Sequence, residues 1–378
     1  MTAAERVRLS MTGGEGDRVP TLPKIWVDFS ARQQGLDLVE VIGDPKLAME
    51  CVVKTALDLG MDASRTFCFP RRRVERDGEL VLEKDEEGRR LGTIDMAGGL
   101  ATLHDSRSPS LIEDPSRTAF INFHKCAEPW IADRGDIERF RIPEAGWYLA
   151  NGYGLLLSGL NRIADGRIAL LGNCEAIALG FAASVRGLER AIFDLVDDPA
   201  FAHAVMDIGD RIAIERGKFH IDLGFRILRL NDSIANMSVI SPGHWREFVF
   251  PHFRNVCAEL KRYCPEAVIY SHCCGNTLPI LAELHAAGVD CVGPVDPMAN
   301  FDCRDARRAI GDGVSMHGGM NTLSFIDKSE EEVIEEATVC IESAGRKAFV
   351  LGSGCSVPRG AKGENIAALR TAVIRAAS

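Results

Sequence analysis

The sequence predicts an α/β protein built on a parallel sheet, and three observations carry that reading. From about Arg167 onward, short apolar runs alternate with segments of helical periodicity, and strand then helix, repeated, makes neighbouring strands parallel. Helix starts are marked at Asp44-Pro45, Asp198-Pro199 and Ser241-Pro242, each an N-cap with proline at the first helical position, and at Ser329, which forms a capping box with Glu332. Residues 71–145 break the alternation and read as an insertion.

Taken in order, residues 1–18 are polar and contain glycine, so they are expected to form a flexible arm, with order beginning near Val19. Ile25-Trp26-Val27 reads as a first strand. Leu47, Ala48, Cys51, Val52, Ala56, Leu57 and Leu59 then recur at helical spacing after Pro45. Val74–Glu83 and Arg89–Met96 read as strands flanking the charged turn Lys84-Asp85-Glu86-Glu87-Gly88, an inserted β-hairpin that serves as a lid, an oligomer contact or a surface decoration. The later strands are expected at Ile168–Leu171, Ile227–Leu230, Ala267–Tyr270, Cys291–Gly293, Val314–Met316 and Ala348–Leu351.

Composition narrows the partners. A chain of 378 residues with net charge −10 is long enough for a large core and carries the wrong sign for nucleic acid or an anionic membrane. No run of roughly 18 apolar residues is present and the polar start has no signal-peptide core, so a cytoplasmic location is expected. In that compartment the twelve cysteines read as buried thiols and metal or redox groups rather than disulfides, with Cys51, Cys257, Cys264 and Cys340 filling core.

The chemistry concentrates in Tyr270-Ser271-His272-Cys273-Cys274-Gly275-Asn276-Thr277 and, far along the chain, Gly354-Cys355-Ser356-Val357-Pro358. Both segments follow strands, so in a parallel α/β fold they meet at the strands' C-terminal ends, where barrel active sites are built. His272 and Cys274 lie two apart and point to one side, whereas Cys273 points away and packs. One imidazole and two thiols make three ligands of a zinc ion, and three ligands with one open position are the pattern of a catalytic zinc.

The stretch HCCGNTLPILAELHAAGVDCVGPVD, beginning at His272, and the closing GSGCSVPRGAKGENIAAL resemble the uroporphyrinogen decarboxylase superfamily, specifically its zinc-dependent, cobalamin-linked methyltransferase branch. Arg18-Val19-Pro20, Asp44-Pro45, Asn231-Asp232-Ser233 and Ser241-Pro242-Gly243 extend the likeness over most of the chain outside the insertion. The resemblance implies a single (β/α)8 TIM barrel spanning 19–378. It also implies zinc bound by His272, Cys274 and Cys355, and methyl transfer between a corrinoid carried by a partner protein and a thiol such as coenzyme M. True decarboxylases hold a tetrapyrrole with a Met-Arg-Gln-Ala-Gly-Arg loop and a Phe-Ser-Asp-Ile segment. Here those positions read Asp28–Gly35 and Thr66–Pro70; Arg32 is a partial match and the substrate-centring aspartate is missing.

Glu175 follows a strand and is a candidate fourth, displaceable zinc ligand, with an exposed loop carboxylate as the alternative. Asp232 is a candidate partner for substrate or for a zinc-bound histidine, or a turn residue. His317, after another strand, is a candidate substrate contact, and Arg359 a candidate for an anionic group or the corrinoid partner, or a solvated arginine. The chain lacks an Asp-x-His-x-x-Gly cobalamin motif, hence methylcobalamin is expected on a separate protein. Folate, a methylamine, a methoxylated aromatic or a methylthio compound are alternative methyl carriers. A decarboxylase-like lyase, a cobalamin-independent methyltransferase and a non-catalytic zinc-binding barrel are alternative functions, and a homodimer is a family-level expectation.

Overall fold

The computed structural model describes residues 1–377. Its centre is a seven-stranded, wholly parallel sheet of β1 (Ala63–Thr66), β7 (Ala169–Ala176), β8 (Ile227–Asn231), β9 (Val268–His272), β10 (Cys291–Val295), β11 (Ser315–Met320) and β12 (Phe349–Ser353), in that order. The stave that closes the curl is the extended segment Pro20–Lys24. Leu22 N donates to Leu351 O at 2.8 Å on one side, and Ala63 N donates to Thr21 O at 3.2 Å on the other. The barrel is therefore complete, but its first stave lies just before Ile25-Trp26-Val27, which does not form a strand: Val27 already begins a helix.

Strand β1 escaped the sequence reading because Ala-Ser-Arg-Thr has no apolar run, although all four residues are buried. Its Arg65 points into a polar barrel interior, so the pattern that marks a strand with an apolar inner face is absent.

The polar start is not a flexible arm. Ala3–Met11 forms helix α1, opened by a Thr2/Glu5 capping box, with Val7 and Met11 fully buried. They close the N-terminal end of the barrel against Leu22, Ala63, Leu171, Ile227, Val268 and Cys291. Arg6 ties the helix down through Asp17 at 2.6 Å and Asp62 at 2.7 Å. The signal was Val7 and Met11 at i,i+4, outweighed by the charges around them.

The outer layer includes α2 (Val27–Gln33), α3 (Pro45–Asp58), α4 (Ala178–Arg186), α5 (Pro199–Asp222), α6 (Phe250–Tyr263), α7 (Glu330–Ala344) and α8 (Gly363–Arg375). The expected caps form: Asp44 accepts from Lys46 N, Asp198 from Phe201 N, and Ser329 and Glu332 make their box. A π-helical turn, Trp245–Val249, precedes α6.

The insertion is larger than one hairpin. It forms a second sheet, β2 (Arg73–Asp77), β3 (Leu80–Lys84), β4 (Arg90–Ile94), β5 (Thr102–His104) and β6 (His124–Cys126), in sequential order. The segment read as one strand over 74–83 is broken at Asp77-Gly78, where Gly78 takes φ +60°. Asp-Gly is a strong hairpin signal, and here it splits an apparent strand in two. Among the described residues, no helix is long and apolar enough to cross a membrane.

Candidate active site

Along the barrel strands, alternate residues face inward and stack in layers. The lower layer, against α1, is apolar; above it lie Arg65, Arg229, Tyr270, His272 and His317, all nearly or fully buried. At the mouth, β9 ends in His272 and the chain turns through Gly275 at φ +89°, a conformation that suits glycine. That turn leaves Cys274 facing Cys355, which follows β12. The two sulfurs lie 3.6 Å apart, and a ligand atom of His272 lies within 4.8 Å of both. Tetrahedral Zn–S bonds of 2.3 Å would place two sulfurs about 3.8 Å apart, so the spacing fits zinc. Cys273 is fully buried and turned away, its N–H donating to Gly293 O.

Hydrogen bonding fixes which nitrogen of His272 is free. His317 Nε2 lies 2.7 Å from Leu22 O, which only accepts, so the proton of His317 sits on Nε2 and its Nδ1 accepts from Tyr270 Oη at 2.9 Å. The tyrosine proton is thereby committed. Its oxygen faces His272 Nδ1 at 3.2 Å and Arg65 Nη2 at 2.9 Å as an acceptor from both. His272 therefore carries its proton on Nδ1 and presents the Nε2 lone pair to the barrel mouth, the tautomer a metal ligand needs. Lys24 Nζ occupies that direction, 3.0 Å from Nε2. A cationic group already sits where the donor lone pair points.

The charges are unusual. Lys24, Arg65 and Arg229 surround the donors, and among the described residues none of the three is paired with a carboxylate. Burial, then Arg229 and Arg65, push the Lys24 ammonium down to about 7, while burial and the same cations keep His272 neutral. The Cys355 thiol is drawn below the usual range by its hydrogen bond with Cys274 and, after the opposing effect of burial, by Lys24. Cys274 is pushed up by the same bond.

Beside the donors opens a cavity of about 370 Å³, sharing Lys24 and Ser356 with them and walled by Trp26, Phe67 and Phe123. Gly99, Asn122 and Phe123 come from the insertion, which thus contributes a wall of the site.

The remaining expected residues fall elsewhere. Glu175 is not at the thiol–imidazole group and is not an exposed loop carboxylate. A bulge in β7 turns it into the cavity at φ +70°, where Arg216 pairs with it at 3.0 Å and Asn173 and Asn122 donate to it. Asp232 is fully buried outside the barrel mouth. It accepts from Ala235 N and presses on Gly180 of α4, so its place is in the loop's support and not in the site; burial raises it to about 7. His317 lies beneath His272, both ring nitrogens engaged, and so orients the relay instead of meeting substrate. Arg359 is exposed at the rim, near Asp28.

Lys24, Tyr270, Arg65 and Arg229 were missed as site residues. Tyr270 shares the face of His272 by strand periodicity, and Arg229 interrupts the apolar run Ile227–Leu230, so both left a legible signal. Lys24 left none, because its segment was not read as a barrel stave.

An α/β barrel with thiols and an imidazole converging at its C-terminal rim defines the class. The uroporphyrinogen decarboxylase (URO-D) family model matches residues 125–376, more than half of the chain, and the protein belongs to that family. Over 188 residues it is 29% identical to the methylated-thiol–coenzyme M methyltransferase of Methanosarcina mazei, covering 50% of this chain and 48% of that one. The chain thus spans about half the length of that relative. It is 22% identical over 322 residues to the uroporphyrinogen decarboxylase of Chlorobium luteolum, covering 82% and 78%. A solved methyltransferase from Methanosarcina mazei shares the fold over 100% of both chains, with a TM-score of 0.71 at 14% identity.

Proposed function

We propose that the protein is a zinc-dependent methyltransferase moving a methyl group between a corrinoid carried by a partner protein and a thiol or other small methyl carrier. The observation that carries this reading is the convergence of one ligand atom each from His272, Cys274 and Cys355 beside a cavity walled by Trp26, Phe67 and Phe123. Held by these three residues, zinc would leave one position for a substrate thiol and favour its thiolate at neutral pH. Two cysteine thiolates and a neutral imidazole cancel the ion's charge, which preserves the nucleophilicity of a bound sulfur.

The chain's own residues supply the rest. Tyr270 and His317 hold the imidazole in its tautomer, Lys24 stands next to the donors as a hydrogen-bond donor to an anionic substrate, and Trp26, Phe67 and Phe123 give the cavity beside them an apolar wall. The barrel mouth, with Arg359 at its rim, is where a corrinoid protein would dock. Methyltransferases named among the relatives support the transfer reading over decarboxylation, as does the missing tetrapyrrole-centring aspartate. A cytoplasmic setting, where thiols stay reduced, accords with twelve free cysteines.

Zinc per chain, measured on protein purified without added metal, tests the centre. About one equivalent in the wild type, lost in Cys355→Ala, is expected. Methylcobalamin with candidate thiols then gives zinc-dependent demethylation. A wild-type protein that takes up no zinc at this centre when supplied overturns the proposal.

A further inference from the structure

On the outer helical layer, away from the barrel mouth, α5 and α6 bring together a second group of donors. His203, Asp207 and Asp210 follow one another at i,i+4 and i,i+3 along α5, so they share one face. His252, in the first turn of α6 just after the π-helical turn, faces them. Its Nδ1 lies 2.8 Å from Asp210 Oδ2 and 3.7 Å from Asp207 Oδ1, and its Nε2 lies 3.0 Å from His203 Nδ1. The His203 ring is held by stacking on Phe248, with centroids 5.0 Å apart.

Three features set this group apart from an ordinary surface ion pair. Among the described residues no lysine or arginine pairs with either carboxylate; His252 is their only basic partner. Asp210 is 1% exposed, yet its Oδ1 has no hydrogen-bond partner. A buried carboxylate with an idle oxygen is costly unless a further cation or donor meets it. Finally, His252 Nδ1 faces both carboxylates while Nε2 faces His203 Nδ1. With the proton on Nδ1 it satisfies Asp210 alone; with the proton on Nε2, donated to His203, the Nδ1 lone pair is free to join Asp210 and Asp207 around a metal ion, which satisfies both together.

We propose that His252 Nδ1, Asp210 and Asp207 form a second divalent-cation site, one nitrogen and two oxygens, for a borderline transition ion of the Zn²⁺ or Co²⁺ kind. Tetrahedral bonds of about 2.1 Å set neighbouring donor atoms about 3.4 Å apart. The two observed distances lie on either side of that value. His203 takes the outward N–H of the ligating imidazole, the arrangement that fixes ring orientation at metal-bound histidines. The ion staples α5 to α6, and α6 feeds β9, the strand that ends in His272. This site is independent of the thiol–imidazole centre and does not rest on the function proposed above.

The test uses the full-length chain carrying Cys274→Ser and Cys355→Ser, which removes the thiolate centre and leaves the second group intact. Zinc is titrated against a chromophoric chelator, and cobalt uptake is followed by absorption. About one equivalent of cobalt is expected to bind with a nitrogen–oxygen visible spectrum and without sulfur-to-cobalt charge transfer. Adding Asp207→Asn, at an exposed position, weakens binding by at least about tenfold. His252→Gln abolishes it. Absence of metal uptake in the double-cysteine variant overturns the proposal, as does uptake unchanged by both Asp207→Asn and His252→Gln.

Discussion

Tyr270→Phe removes one oxygen atom and tests the reasoning on the His272 tautomer directly. In the native barrel the tyrosine oxygen accepts from His272 Nδ1–H and Arg65 and donates to His317 Nδ1. Without it, Arg65 Nη2, already 3.3 Å from His272 Nδ1, becomes the nearest partner. Arginine only donates, so His272 must turn Nδ1 into an acceptor and move its proton to Nε2, the nitrogen that faces the thiols. Loss of such an orienting partner lowers metal affinity by about 10–100-fold, or roughly 1.4–2.8 kcal/mol. His317 Nδ1 is left buried and unpaired, which costs a further ~1–3 kcal/mol of folding stability. Zinc affinity is read by chelator competition, and the tautomer by nitrogen NMR of labelled imidazole. A variant whose zinc affinity stays within about twofold of wild type, with the His272 proton still on Nδ1, refutes the relay.

Three further outcomes follow from other parts of the barrel. Arg216→Met leaves Glu175 buried without its cation and should cost about 3–5 kcal/mol in denaturant unfolding, mostly recovered by adding Glu175→Gln; a loss below ~1 kcal/mol would show the pair to be dispensable. His220 is fully buried, and burial pushes it down to about 3. Its unfolded form takes up a proton near pH 6.5 and its folded form does not, so its contribution is whole above that pH and lost as pH falls toward 3. Moving from pH 7 to 5 should remove about 2 kcal/mol through this residue, and His220→Asn, which keeps a donor for Arg216 O, should remove that share of the acid sensitivity. A variant with the same acid slope would contradict the assignment. In Gly352→Ala the new methyl group would strike His317 Nε2 and Leu22 O, the hydrogen bond that anchors the relay. A loss of ~1–3 kcal/mol with weakened zinc binding is expected, and unchanged thermal unfolding would argue that the stave at Leu22 yields freely.

Most of the barrel was legible in the sequence because β7 to β12 each bury apolar residues on their outer faces, and their runs survive as short hydrophobic words. What escaped is what the site makes polar or irregular. Ala63–Thr66 lacks an apolar run since Arg65 serves the interior, and Pro20–Lys24 closes the barrel with isolated bridges and prolines in place of a regular ladder. His272, Cys274 and Cys355 could be picked out because residue type and strand-end position coincide. Asp232 and Glu175 were misplaced for a common reason. A polar residue after a strand is equally suited to substrate, a backbone amide or a buried arginine, and only three-dimensional neighbours decide among them.

The cations around the donors give the site its direction. Arg65 and Arg229 are buried and Lys24 is half-buried, with no carboxylate to neutralise them, a costly arrangement that folding alone would not favour. Arg65 even keeps Nε and Nη1 without partners. Their combined field favours the thiolate of Cys355, which is drawn below the usual range, while Cys274 is pushed up by its hydrogen bond with Cys355. At an effective dielectric of about 20, each unit charge at 6 Å contributes about 3 kcal/mol of attraction to a thiolate. The barrel therefore spends stability to hold sulfur as an anion at its mouth. The same field attracts an incoming thiolate and disfavours a cationic substrate. For the proposed methyl transfer this charge predicts that methylamines and other cationic methyl carriers react more slowly than anionic or neutral thiols, which a side-by-side comparison of their demethylation rates checks; equal rates would show that the field does not select substrate.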